Sequence, residues 1–312
     1  INLANEKKLD NFDAIVFYEK PLLKFNRLLE TYVDFSPKGF EQFRKALPLW
    51  VKEKFFLKKL LIDKSYSGKN IKFSEHHYSH AASAFFPSPY EEAIIFTADG
   101  VGEWCTTSIY HGEKNKIKQI KEINFPSSLG LLYSAFTYFL GFKVNDGEYK
   151  MMGLAPYGKP KYLDIIYKHL IDVKEDGSFR LNMKYFDYAT GLKMTNKNFS
   201  SLFGLERREQ NQEITLKHMD LAASIQKVTE DIILKIMNSL KNEYKTENLC
   251  LAGGVALNCV ANGKIVEQGI FKNIWIQPAA GDAGGSLGAA LGFFYNNYDS
   301  ERVLNKEDSM KS

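Results

Sequence analysis

Two copies of one pattern fill residues 247–297. "ENLCLAGGVALNCVANGKIVEQG" and "NIWIQPAAGDAGGSLGAALGFFYNN" each read as an apolar strand, a glycine-rich turn and a helix. A strand that enters a helix through glycines is the unit of an α/β nucleotide-binding lobe, because backbone N–H groups at a helix start attract anions and glycines let a phosphate approach. One such turn could equally be a tight connection with no ligand. Two in one lobe, with Asp282 inside the second, favour phosphate binding. The candidates are Gly253, Gly254 and Asn258 in the first unit, and Gly281 and Gly284 in the second. Neither turn is a P-loop, since no Gly-Lys-Ser/Thr follows, and neither fits G-x-G-x-x-G with a ribose-binding acid.

The rest of the chain fits that class. "EEAIIFTADGVGEWCTTSIYHGEKNKIKQIKEINF" reads as three consecutive strands, the first (Ala93–Ala98) apolar on both faces and therefore central. "DGVGEW" is either a plain hairpin or a phosphate-facing turn carrying Gly100 and Gly102. "SSLGLLYSAFTYFLGF" reads as a buried helix with Ser127 or Ser128 as N-cap and Gly141 as stop. "GEYKMMGLAPYGKP" reads as a Gly/Pro-punctuated loop in which Lys150 either touches phosphate or is simply solvated. Polar, weakly periodic text over about 161–215 suggests an inserted subdomain. "TLKHMDLAASIQKVTEDIILKIMNSL" is the longest amphipathic helix. Upstream, a strand at Ala14–Tyr18 precedes mostly helical text to Ser65, and "NIKFSEHHYSHAASAFFPS" reads as strand, turn and helix.

Bulk properties weigh against several classes. A net charge of +4 is mild and fits a polyanionic small ligand such as a nucleotide, while a nucleic-acid binder usually shows a dense basic face; the basic runs Lys52–Lys64 and Lys114–Lys121 are read as solvated faces in preference to one. Three scattered cysteines, Cys105, Cys250 and Cys259, form no disulfide framework, so a reducing, cytoplasmic setting is expected. No apolar run reaches the ~18 residues of a membrane span, and no signal peptide is evident. The chain opens on Ile1 rather than Met, so residues upstream are expected.

Half of the six histidines fall in "EHHYSHAASAFF". On a helix, His76 and His80 share one face, while His77 is rotated by about 100°. Asp99, at the end of the central strand, and Asp282, in the glycine turn, are carboxylates suited to join them. Two imidazoles and two carboxylates suit a borderline divalent ion such as Fe²⁺, Mn²⁺ or Zn²⁺. From spacing alone, a metal site and a pair of helix-capping, ring-stacked histidines are equally good readings.

"HHYSHAASAFFPSPYEEAIIFTADGVGEW", "GEYKMMGLAPYGKP", "LAGGVALN" and "GDAGGSLGAA", in that order, resemble the NodU/CmcH-type carbamoyltransferases, which include nodulation-factor and antibiotic O-carbamoyltransferases. The resemblance implies a two-lobed actin/hexokinase/Hsp70-like (ASKHA) fold, with residues 1–90 the remainder of the first lobe and 91–312 the second. It implies carbamoyl transfer from carbamoyl-adenylate, made from carbamoyl phosphate and ATP, to a small-molecule hydroxyl. It places His76, His80, Asp99 and Asp282 as metal ligands with Fe²⁺ the implied ion, and lays the adenylate along Gly253, Gly254, Asn258 and the Gly281 turn. Two family features are missing. No Gly-x-Ser…His-Asp motif precedes Asn11, so no catalytic His/Asp pair is assigned, and no C-terminal YrdC-like domain follows, so a partner domain or subunit is expected to supply the adenylate. The alternatives are a tRNA threonylcarbamoyladenosine-type transferase and a non-catalytic nucleotide-binding module. A sugar kinase of the same fold is disfavoured, because Mg²⁺ prefers carboxylates and water to paired histidines.

Overall fold

The computed structural model describes residues 13–51, 56–59, 70–298 and 300–304. Most of the basic run Lys52–Lys64 and the segment before Asp13 therefore lie outside the described residues. Strand β1 (Ala14–Phe17) leads through α1 (Pro21–Phe35) and α2 (Phe40–Leu49) to β2 (Asn70–Phe73), which pairs with it in parallel. Helix α3 (His76–Phe85) follows at once. Then come β3 (Glu92–Ala98), β4 (Cys105–Glu113) and β5 (Lys116–Asn124), the three strands expected. Helix α4 (Leu129–Phe139) begins with the Ser128 hydroxyl accepting from Leu131 N, and Gly141 beyond its end takes φ +77°, a conformation that favours glycine.

The stretch expected to be a loop after Gly147 is instead helix α5 (Glu148–Leu154), followed by a 3-10 turn at Ala155–Tyr157. Glycine and proline dominate the local reading there. Yet Glu148 opens the helix, Gly153 has open space around it, and Pro156 falls in the tight turn, where it breaks no α-helical bond. Residues 161–215 contain a hairpin of β6 (Ile171–Val173) and β7 (Phe179–Leu181), then α6 (Lys197–Phe203). Phe199 stacks edge-on against Phe136 at 5.1 Å, so this segment shares the core of the main sheet.

Helix α7 (Leu216–Tyr244) starts in a capping box between Thr215 and His218. It leads to β8 (Asn248–Ala252), α8 (Cys259–Glu267), β9 (Asn273–Ile276) and α9 (Gly285–Asn297). The five-stranded sheet has the order β5-β4-β3-β8-β9, antiparallel from β5 to β3 and parallel from β3 to β9. Both faces of β3 are covered, which explains its unbroken apolar run. Ile94, Phe96 and Ala98 join the core formed with α4 and α7, while Ala93 and Ile95 pack with Ala81, Ala84 and Phe85 of α3. Among the described residues no helix is long and apolar enough to cross a membrane.

Candidate metal centre and its cleft

Helix α3 is clamped between the sheet and α9, and nine of its ten residues are buried. Its alanines and serines keep it thin. The glycines of α9 do the same from the other side. A Cβ at Gly288 would lie 1.7 Å from the Ser79 carbonyl oxygen, one at Gly292 would lie 2.6 Å from the Tyr78 ring, and one at Gly285 would meet the Tyr18 ring at 2.7 Å. Close contact between α3 and α9 brings the turn before α9, with Asp282, to the first turn of α3.

Four side chains meet there. The ligand-type atoms of His76, His80, Asp99 and Asp282 all lie within 4.8 Å of one another. His76 Nε2 and His80 Nε2 are 3.1 Å apart, and each is 3.1 Å from Asp99 Oδ2. Asp282 Oδ1 is 3.4 Å from His76 Nε2 and 3.5 Å from His80 Nε2. The other Asp99 oxygen accepts from Gly100 N at 2.7 Å, which turns Oδ2 toward the rings. Ser128 Oγ donates to the Asp99 and Gly100 carbonyls, fastening this loop to the start of α4.

The electrostatics of the cluster are those of a mutual pairing. Burial opposes charge on His80, but its bonds to Asp282 and Asp99 hold its pKa up at about 9. Burial likewise opposes ionisation of Asp99, yet bonds from His76 and His80 keep it well below the usual carboxylate range. Burial, then Asp282, Glu19 and Asp99, push the Tyr18 phenol up to about 12. His77 faces away. Its Nδ1 lies 3.0 Å from Thr97 Oγ1 and 3.0 Å from Ser108 Oγ, and burial, then His76 and His80, lower its pKa to about 3.

Protons serve this arrangement poorly, because two ring nitrogens face each other across one carboxylate oxygen. A divalent cation at the common point would satisfy all four donors, and two nitrogens with two carboxylate oxygens fit a borderline ion. The outer ring nitrogens, His76 Nδ1 and His80 Nδ1, are buried without a hydrogen-bond partner. Glu19 Oε2 stands 3.9 Å from His76 Nδ1, the position of an outer carboxylate for a ligating imidazole.

The cluster opens into a cleft of about 750 Å³ walled by the loop after β3, α4, α5, α7 and the two glycine turns. The Carbamoyltransferase N-terminus family model matches residues 3–291. The chain belongs to this family. An uncharacterized protein of Synechocystis is 57% identical over 310 residues, covering 97% of this chain and 50% of the relative. The nodulation protein NolNO of Sinorhizobium fredii is 34% identical over 287 residues, covering 91% of this chain and 39% of the relative. The chain thus spans half the length or less of these curated relatives. Among solved structures, HypF from T. kodakarensis aligns with a TM-score of 0.40 and 15% identity, covering 77% of this chain and 39% of that one.

In this carbamoyltransferase N-terminal chain the expected phosphate contacts divide. Gly100, Gly254, Asn258 and Gly281 line the cleft. Gly102, Lys150, Gly253 and Gly284 are not among its lining residues. Gly102 lies against the first turn of α3, where a Cβ would approach His77 Cδ2 to 2.8 Å. Lys150 is exposed, 5.8 Å above the Tyr149 ring. Gly253, at φ +87°, donates its N–H to Ala280 O at 2.7 Å, and its missing Cβ lets β8 run against Ala98. Gly284 bonds back to Gly281 O within the turn. These glycines serve close packing, a role that sequence cannot separate from phosphate binding.

Asn258 caps α8 through Ala261 N at 3.0 Å and forms a reciprocal amide pair with Gln226. Tyr133 Oη donates to the same Gln226 at 2.9 Å. Gln226 reads as a packing position on α7, and only its polarity within an apolar face hints otherwise. Among the described residues no lysine or arginine lines the cleft. The thiols of buried Cys250 and half-buried Cys105 are both pushed up to about 12, the first by burial and the second by burial and Glu122, so neither is a nucleophile at neutral pH.

Proposed function

We propose that this chain is the acceptor-side domain of an O-carbamoyltransferase. It would transfer a carbamoyl group from carbamoyl-adenylate to a hydroxyl of a sugar-like or natural-product acceptor. Family membership supports the reaction class. The two-lobed ASKHA reading, with a first lobe up to residue 90 and a second from 91 carrying the 161–215 insertion, draws support from the parallel β1–β2 pair and the mixed order β5-β4-β3-β8-β9. The observation that carries the proposal is the convergence of two imidazoles and two carboxylates at the head of a cleft bordered by glycine turns.

His76, His80, Asp99 and Asp282 would hold the ion, Fe²⁺ by family likeness, with Mn²⁺ or Zn²⁺ as the other candidates. Bound there, it would supply Lewis acidity to the carbamoyl carbonyl. The chain's own residues do the remaining work. The backbone at Gly254 and Gly281 lets the adenylate phosphate come close to the main chain. Among the described residues the cleft walls carry no lysine or arginine but do carry Asp99, Asp146, Glu148 and Asp282, so they suit the single charge of an adenylate better than the several charges of ATP. ATP and carbamoyl phosphate would then react on a YrdC-like domain or subunit. Leu129, Leu131, Val255 and Leu257 give the cleft apolar walls.

Elemental analysis of the purified chain and of His80→Ala tests the metal assignment. Stoichiometric metal in the parent and loss in the variant is the expected result; equal metal in both sinks it. Incubation of the chain with carbamoyl-adenylate and a panel of hydroxyl acceptors, read by mass spectrometry, tests the transfer.

A further inference from the structure

We propose that Glu103 is a positioning residue for the metal pair, holding His76 in place from its backbone side; this rests on the metal reading above. Glu103 belongs to "DGVGEW", whose second half the site does not otherwise use. Glu103 is only 8% exposed. Both oxygens accept from His76 N, at 3.1 and 3.0 Å, and Oε1 also accepts from Lys20 N at 2.7 Å. His76 is the first residue of α3 and Lys20 is the N-cap of α1. Neither helix has a side-chain cap of its own, since Glu75 and Lys20 make no cap bond. Two helix starts therefore converge on one buried carboxylate, which satisfies orphan N–H groups of both and matches the positive end of each helix dipole.

The same loop grips His76 twice. Asp99 meets the ring at Nε2, and Glu103, four residues on, holds the backbone nitrogen of that residue. Between them Gly102 lies so near that a Cβ would stand 3.2 Å from His76 Cβ. Arg27 completes the clamp by donating to the Gly102 carbonyl at 2.6 Å. A shift of Glu103 would thus move the first ligand relative to Asp99. A shift at the far end of α3 would not. There Arg302 donates to the carbonyls of Phe85, Phe86 and Ser88, an anchor on the same helix remote from the four donors.

The test is titration with Co²⁺ alone, read by its visible absorption and by competition with a chelator, alongside thermal unfolding. Glu103→Gln and Gly102→Ala are expected to weaken Co²⁺ binding by about 10- to 100-fold and to change its spectrum. Arg302→Ala is expected to lower thermal stability yet shift Co²⁺ affinity by less than about twofold. The proposal is overturned if folded Glu103→Gln binds Co²⁺ with parental affinity and spectrum. Should Glu103→Gln fail to fold, parental Co²⁺ binding by Gly102→Ala overturns it. It is overturned equally if Arg302→Ala loses affinity as much as either, since the effect would then be general loosening of α3. His80→Ala keeps the two readings apart. Loss of Co²⁺ there together with retention in Glu103→Gln removes only the Glu103 role, whereas retention in His80→Ala removes the metal centre itself.

Discussion

Among the described glycines, Gly288, at the contact between α3 and α9, leaves the least room for an added Cβ. The added Cβ would sit 1.7 Å from Ser79 O, 2.7 Å from Ser79 C and 2.8 Å from Ser83 N, all backbone atoms of α3. Ordinary contact begins near 3.4 Å, so the helices must part by more than about 1.5 Å. Helix α3 cannot retreat, because Ala81, Ala84 and Phe85 already pack with Ala93 and Ile95 of β3. Helix α9 must move instead, and Asp282 lies only three residues before its first residue. Overpacking of this kind costs about 1–3 kcal/mol. Metal ligands tolerate only ~0.2 Å, so Co²⁺ affinity should fall at least about tenfold. Urea unfolding measures the first effect as a lower midpoint at unchanged slope, and Co²⁺ titration measures the second. Gly263→Ala is the control. It lies inside α8 with nothing within 4 Å of its Cβ, so it should be neutral or stabilising by about 0.5–1 kcal/mol. A parental urea midpoint for Gly288→Ala would refute the packing argument.

Two further outcomes follow from the same geometry. The metal-free chain should be most stable near neutral pH. His80, raised to about 9, contributes stability that is complete below the unfolded value of ~6.5 and is lost as pH rises through 9. His77, lowered to about 3, stays neutral in the fold, so stability also falls as pH drops below ~6.5. Urea midpoints from pH 5 to 10 in chelator check this, and a monotonic rise above pH 7 would contradict the His80 pairing. Gln226→Leu removes the partner of both Asn258 and Tyr133 and leaves buried polar groups unsatisfied, so it should cost about 1–3 kcal/mol, read by the same unfolding curves.

The division between sequence and structure runs along the range of the forces involved. Local periodicity reveals β3, β4 and β5, the strand–turn–helix units ending in α8 and α9, and the long α7. It misreads α5, because Gly147, Gly153 and Pro156 act as local breakers while the helix is fixed by its packing against α4 and α7. Glycines mislead for a related reason. The same residue that admits a phosphate also admits a neighbouring backbone, and nothing nearby in sequence tells Gly254, which lines the cleft, from Gly253, which packs on Ala98. Glu103 reads as part of a turn because its partners, Lys20 and His76, are 83 and 27 residues away.

By itself the sequence determined the α/β class, the pairing of His76 with His80 one helical turn apart, and two carboxylates at strand and turn ends able to reach them. The first two follow from the spacing of neighbours along the chain, and the carboxylates from their places at a strand end and in a glycine turn. Only the tertiary structure decided that Asp99 and Asp282 meet those rings, that four of the eight expected phosphate contacts reach the cleft, and that a distant glutamate holds the start of the histidine helix. These depend on how closely α3, α9 and the β3 loop approach. That distance is set by side chains left out of glycines and alanines far apart in the sequence.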